Sequence, residues 1–91
     1  MTIPSTQAVL RQIQHIAETE LGHDGTISLS HRLIDDLGID SLGAIVLAVG
    51  LEDHFRVRLQ EQDAGEVTSV ADLIRLVQRR HEEAKSNARR T

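Results

Sequence analysis

The densest set of chemically capable side chains is the run Asp35-Asp36-Leu37-Gly38-Ile39-Asp40-Ser41-Leu42. Three carboxylates lie within six residues of the Ser41 hydroxyl. Asp40 is a good helix N-cap, so Ser41 is expected in the first turn of a helix. Free backbone N–H groups and the positive end of the helix dipole favour an attached phosphate there. The preceding loop leaves the hydroxyl open to a modifying enzyme. The carboxylates could approach a magnesium ion held by that enzyme, because Mg²⁺ prefers carboxylate oxygen together with phosphate. On spacing alone, an ordinary cap at Asp40-Ser41 and an exposed turn at Asp35-Asp36 account for the same residues.

No other grouping competes. The five histidines, His15, His23, His31, His54 and His81, show no ligand spacing and read as surface residues. A calcium loop over residues 35–46 fails, because its third position is Leu37 and its twelfth is Val46. The chain has no cysteine, which excludes disulfides and thiolate metal sites. No metal site is expected. No histidine stands in sequence as an obvious base for Ser41, and no polar constellation suggests a catalytic pocket, so the chain does not read as an enzyme.

The elements that must position Ser41 read as helical. From Ser5 to Leu21, the residues Val9, Leu10, Ile13, Ile16, Ala17 and Leu21 recur at helical spacing, with Ser5 or Thr6 as cap and Gly22 as a left-handed stop. A connection over residues 23–40 has no sustained period. Its Ile27, Leu29, Leu33, Ile34, Leu37 and Ile39 are expected to pin it across the helices, with one short helical turn near Leu33. A second helix is expected from Asp40 to Phe55, with Ala44, Leu47, Leu51 and Phe55 as its core stripe. Leu42, Val46, Val49 and Asp53 fall on the opposite side, so this helix is apolar on two faces. Its Gly43 and Gly50 read as sites of close packing.

Residues 60–66 suit one or two turns. Ser69-Val70-Ala71-Asp72 fits a capping box, with Asp in place of Glu, opening a last helix through Val70, Leu73, Ile74 and Val77. The fold class expected is all-α: a small four-helix bundle of three main helices plus one short helix. Residues 1–80 form the domain, and the polar, basic stretch 81–91 is expected to fray or be disordered.

The chain has 91 residues, enough for one domain, and 40% of them are apolar. Phe55 is its only aromatic residue, so the core is aliphatic. Residues 1–72 hold four arginines and twelve carboxylates, a balance of −8, while residues 73–91 hold six basic and two acidic side chains, +4. An acidic body disfavours nucleic acid as partner and favours basic docking patches. The basic tail has no apolar face to insert into a membrane, and the uncharged stretch from Ser41 to Leu51 is too short to span one. Met1 to Ser5 carry no signal-peptide pattern. A soluble, cytoplasmic protein is expected.

Three landmarks in register then carry a resemblance. Asp36-Leu37-Gly38-Ile39-Asp40-Ser41-Leu42 resembles the D-L-G-x-D-S-L signature of acyl carrier proteins. Leu51-Glu52-Asp53-His54-Phe55 is similar to the family's L-E-E-x-F, and Val67-Thr68-Ser69-Val70 with Asp72-Leu73 to its T-V-x-D-L. The similarity spans residues 5 to 80.

The resemblance implies a 4'-phosphopantetheine arm, transferred from coenzyme A to Ser41 by a phosphopantetheinyl transferase. Its thiol would carry acyl groups as thioesters between acyl-loading and acyl-using enzymes of fatty-acid or specialised lipid biosynthesis. Asp40 and Leu42 flank the site, Asp36 supports the modifying enzyme, and Leu42, Val46, Val49 and Asp53 form the docking face of a monomer. Interior aliphatic side chains between the second helix and the long loop are expected to shelter part of the acyl chain. A peptidyl or aminoacyl carrier, and an unmodified interaction module, are the alternative readings.

Two departures stand out. Gly43 and Val46 occupy positions that are acidic in many members, which shifts recognition toward apolar contact. Arg56 and Arg58 follow Phe55 where the family is usually acidic or neutral. Both point to a specialised carrier.

Overall fold

The computed structural model describes the backbone of residues 3–90 and the side chains of residues 3–60, 62–63 and 65–84. Its elements, in order, are α1 (Thr6–Glu20), α2 (Ser41–Phe55), a short 3₁₀ helix (Glu61–Glu66) and α3 (Val70–Arg90). Local chemistry sets each boundary. The Ser5 hydroxyl accepts from Ala8 N–H at 3.1 Å to open α1. Gly22, at φ +67°, reverses the chain so that His23 N–H reaches the Ala17 carbonyl at 2.9 Å. At the start of α3, Asp72 accepts from Ser69 N–H and the Ser69 hydroxyl accepts from Asp72 N–H, a reciprocal capping box.

The core is aliphatic. Val9, Ile13, Ile16 and Ala17 of α1 meet Leu47 and Leu51 of α2 and Val70, Leu73, Ile74 and Val77 of α3. The expected core stripe of α2 holds at Leu47 and Leu51 but differs at its ends. Gly43, Leu47 and Leu51 are buried, whereas Ala44 is exposed and Phe55 only half-buried. The reason is close helix contact: a Cβ at Gly50 would stand 2.6 Å from Ile16 Cδ1. The bare backbone at 50 lets α1 settle on this side, and Ala44 rotates out. Gly50 thus serves close packing.

The long connection is held by few, well-placed bonds. Gln14 reaches out from α1, its amide donating to Gly25 O at 2.9 Å and accepting from Ile27 N–H at 3.0 Å. Further on, an isolated bridge joins Arg32 to Ser69. Leu33 N–H donates to Thr68 O, and Val70 N–H to His31 O. Ile27, Leu33 and Ile39 are buried and Leu37 packs against the core. Leu29 and Ile34 are not pinned as expected; both are exposed, Ile34 at 72%. Ile34 lies in the turn over residues 33–37, which turns Leu33 and Leu37 to the core and the three residues between them to solvent. The turn itself, near Leu33, is where the sequence places it.

The stretch 81–91, expected to fray, continues α3 as a helix as far as Arg90; Thr91 lies outside the described residues. Its residues are polar but mostly good helix formers, and Arg80 pairs with Glu83 one turn on, at 2.6 Å.

Candidate functional site

Ser41 is the first residue of α2, and it is exposed. Asp40 holds an extended conformation and its carboxylate accepts from Gly43 N–H at 2.8 Å. That bond uses one of the free donors at the helix start. The N–H groups of residues 41 and 42 have no intrahelical acceptor, as at any helix start, and remain for an anionic group on the Ser41 oxygen. Leu42 stands beside the serine with 69% of its surface exposed.

The two upstream carboxylates are structural as well as acidic. Asp36 accepts from Arg32 N–H at 2.7 Å and so closes the turn that leads to Gly38. Gly38 lies at φ +66°, in the left-handed region that favours glycine. From there the chain runs through buried Ile39 into the cap. Asp35 pairs with the Arg32 guanidinium at 3.5 Å, both side chains well exposed, a contact of little energetic weight. The turn is fixed by Asp36, the helix start by Asp40, and Ser41, the residue after that cap, is exposed.

Of the expected docking residues, Leu42, Val49 and Asp53 are exposed. Val46 is half-buried and packs on the flank of the core, because the rotation of α2 that exposes Ala44 turns Val46 inward. Ile45, at 59% exposure, takes its place. Beyond Val49 an open groove runs between α2 and the segment that follows it, lined by Glu52, Asp53, Val57 and Leu59 among others. Glu52 is turned to this segment and accepts from Leu59 N–H at 2.8 Å.

One polar element escapes sequence reasoning. Asp63, in the 3₁₀ helix, is 2% exposed. Its carboxylate accepts from the Arg80 guanidinium at 2.6 Å and from Gln60 N–H at 2.9 Å. Those two hydrogen bonds, Arg80 first, hold its carboxyl below the usual carboxylate range, and the Arg80 guanidinium is raised in turn. The pair fastens the short helix to α3. Asp72 is likewise lowered, chiefly by the backbone N–H groups of Ser69 and Thr68. Among the described residues, no group of three or more His, Asp or Glu is placed to hold a metal ion, and no helix is long and apolar enough to cross a membrane.

A family model described as "Phosphopantetheine attachment site" matches residues 11–77, with Ser41 inside the match. An acyl carrier protein of Clostridium acetobutylicum is 34% identical over 76 residues, spanning 82% of this chain and 99% of that one. An acyl carrier protein of Campylobacter concisus is 27% identical over 73 residues, 79% of this chain and 95% of that one. The crystal structure of an acyl carrier protein from Thermotoga maritima superposes with a TM-score of 0.79 at 28% identity, covering 87% of this chain and 93% of that one. With this sequence match, this fold and an exposed serine opening its second helix, the chain belongs to the acyl carrier protein family of phosphopantetheine-dependent carriers.

Proposed function

We propose that Ser41 bears the 4'-phosphopantetheine arm and that the chain shuttles acyl intermediates on it, as thioesters, in lipid biosynthesis in the cytoplasm. The observation that carries this is the exposed Ser41 hydroxyl at the first position of α2, inside the matched motif. A phosphopantetheinyl transferase joins the serine oxygen to the phosphate of the arm, with coenzyme A as donor. The site's residues suit that group: the free N–H donors at 41 and 42 and the helix dipole favour the phosphodiester charge. The arm supplies the thiol that a cysteine-free chain lacks. Asp36 and Asp40 hold the serine in place for the transferase, and residues 1–80 suffice as the carrier domain.

Acyl-handling enzymes dock around Ser41, over Leu42 and Val49 with Asp53 at the far edge. The acyl chain shelters among the aliphatic side chains Leu47, Leu51 and Ile74, which separate without losing a hydrogen bond.

Intact mass before and after incubation with coenzyme A and a transferase tests the central point. One phosphopantetheine on the wild type and none on Ser41→Ala is expected; no gain under conditions that modify another carrier refutes it. For the shelter, a long acyl chain should shift the amide resonances of Leu47, Leu51 and Ile74. Unchanged resonances would place the chain outside.

A further inference from the structure

The path open to a sheltered acyl chain ends at a charged pair. Gly43 and Gly50 lie against Leu21 and Ile16 in turn, so α2 runs antiparallel to α1. α3 begins where Arg32 bridges Ser69, on the connection that leads to Ser41, and its Gln78 amide reaches Pro4 O just ahead of α1 at 3.1 Å. α2 and α3 therefore descend side by side from the Ser41 end. Down α3 the buried aliphatic residues are Val70, Leu73, Ile74, Leu76 and Val77. The next position on that stripe, one turn after Val77, is Arg80.

Arg80 is held by Asp63 and by Glu83, each at 2.6 Å, and Asp63 is 2% exposed. The Nε atom of Arg80 is buried with no hydrogen-bond partner among the described residues. A run of methylenes entering from the Ser41 end gains apolar burial at each step until it meets this pair. Going further means parting the two charges, and a buried charge left without its partner costs several times what one methylene gains. From Val70 to Arg80 the helix rises about 15 Å. About 3.5 Å of that is contact distance to the pair. The remainder holds about nine carbons, at about 1.25 Å each along an extended chain.

We propose that the Asp63–Arg80 pair is a length stop for the cargo: the protein shelters acyl groups of up to about ten carbons and leaves the remainder of longer ones in solvent. The proposal rests on the carrier reading above and on its aliphatic shelter. Neither residue is needed to attach the arm. They set cargo size by fixing where the apolar path ends, since an alkyl chain offers a guanidinium or a carboxylate nothing in exchange for its partner.

The test is a thermal series on the full protein, loaded by a phosphopantetheinyl transferase with acyl-coenzyme A thioesters of about four to about sixteen carbons. A methylene buried only in the folded state stabilises that state. Tm should climb by roughly 5 °C for each pair of carbons added and level off at about ten, the parted side chains giving back part of the gain. In the double variant Asp63→Leu/Arg80→Met both charges are gone and apolar side chains fill the space, an exchange that buried pairs often tolerate. Its plateau should move to about fourteen carbons or beyond. The wild-type series needs no variant, so it tests the stop even where the double replacement unfolds. A wild-type Tm that keeps climbing to about sixteen carbons, or a plateau that the folded double variant leaves in place, overturns the length stop while the carrier reading stands. A Tm that no acyl length moves overturns the shelter as well, and no mass gain with any thioester overturns the carrier reading.

Discussion

Replacing Asp63 by alanine should destabilise this protein more than any other single change to a charged side chain. The carboxylate is 2% exposed and does two jobs. One oxygen accepts from Arg80 at 2.6 Å and the other from Gln60 N–H at 2.9 Å. A hydrogen bond to a charged partner contributes about 1.5–3 kcal/mol, and a side chain capping a backbone N–H contributes about 1 kcal/mol. Breaking a fully buried pair costs about 3–5 kcal/mol. Here the cost should lie at the lower end, because the Arg80 side chain is 21% exposed and keeps its bond to Glu83.

About 3 kcal/mol is therefore expected for Asp63→Ala, and about half for Asp63→Asn, whose amide oxygen can keep one of the two contacts. In a domain of this size about 1 kcal/mol shifts Tm by roughly 4–8 °C, so the alanine variant should melt about 12–24 °C lower. Acid supplies a second check. The folded-state pKa of Asp63 is depressed, so its contribution is full above the ordinary carboxylate range and is lost as pH falls through the folded value. The gap between wild type and Asp63→Asn, read by circular dichroism melts, should narrow on acidification. A loss below about 0.5 kcal/mol at neutral pH for Asp63→Ala, or a gap that persists unchanged in acid, would refute the reasoning.

Asp72→Ala removes the acceptor for both Ser69 and Thr68 N–H at the mouth of α3 and should cost about 1–2 kcal/mol in urea unfolding. Because its carboxyl is also lowered, that cost too should fade as pH drops through its folded value. Gln14→Leu leaves Gly25 O and Ile27 N–H without their side-chain partner, and hydrogen exchange at Ile27 should quicken by roughly tenfold, about 1.4 kcal/mol. Gly50→Ala gains about 1 kcal/mol of helix propensity, but its methyl meets Ile16 Cδ1 at 2.6 Å and Cγ1 at 3.1 Å. Overpacking of this kind costs about 1–3 kcal/mol, so a net loss near 1 kcal/mol is expected; a gain would show that Ile16 moves freely. At Gly65 a Cβ meets nothing within 4 Å among the described residues, and Gly65→Ala should be neutral or stabilise by up to about 1 kcal/mol.

What could be read in the sequence was local. The caps at Ser5, Asp40 and Ser69-Asp72 depend on side chains three residues from the N–H groups they serve, so spacing alone reveals them. The exposed first-turn position of Ser41 follows from the Asp40 cap in the same way. The phase of α2 was not legible to within one residue. Both of its faces are apolar, so periodicity says that a stripe exists but not which one turns inward. Contact between Gly50 and Ile16 decides it, and those residues lie on different helices. The same holds for Asp63 and Arg80. They are seventeen positions apart on separate elements, and nothing in either neighbourhood names the partner. Leu29 and Ile34 look like core in composition, yet each sits in a turn that leaves it exposed.

The distribution of polar bonds also bears on where an acyl chain can enter. The long connection is tied to the start of α3 by backbone bonds at residues 29, 31 and 33, so parting them would break hydrogen bonds. The contact of α1 with α2 runs through the close approach at Gly50, where little slack exists. Between α2 and α3, no hydrogen bond is found among the described residues, and Leu47, Leu51 and Ile74 meet through aliphatic surface alone. Parting these side chains loses dispersion and apolar burial, but an inserted chain restores both, at about 0.8 kcal/mol for each methylene it buries. The exchange is nearly balanced on this side, and the buried Ile27, Leu33 and Ile39 of the long connection belong to the same core. The proposed shelter, bounded by α2 and the long connection, can therefore also open toward α3, while the Asp63–Arg80 pair keeps the short helix fastened.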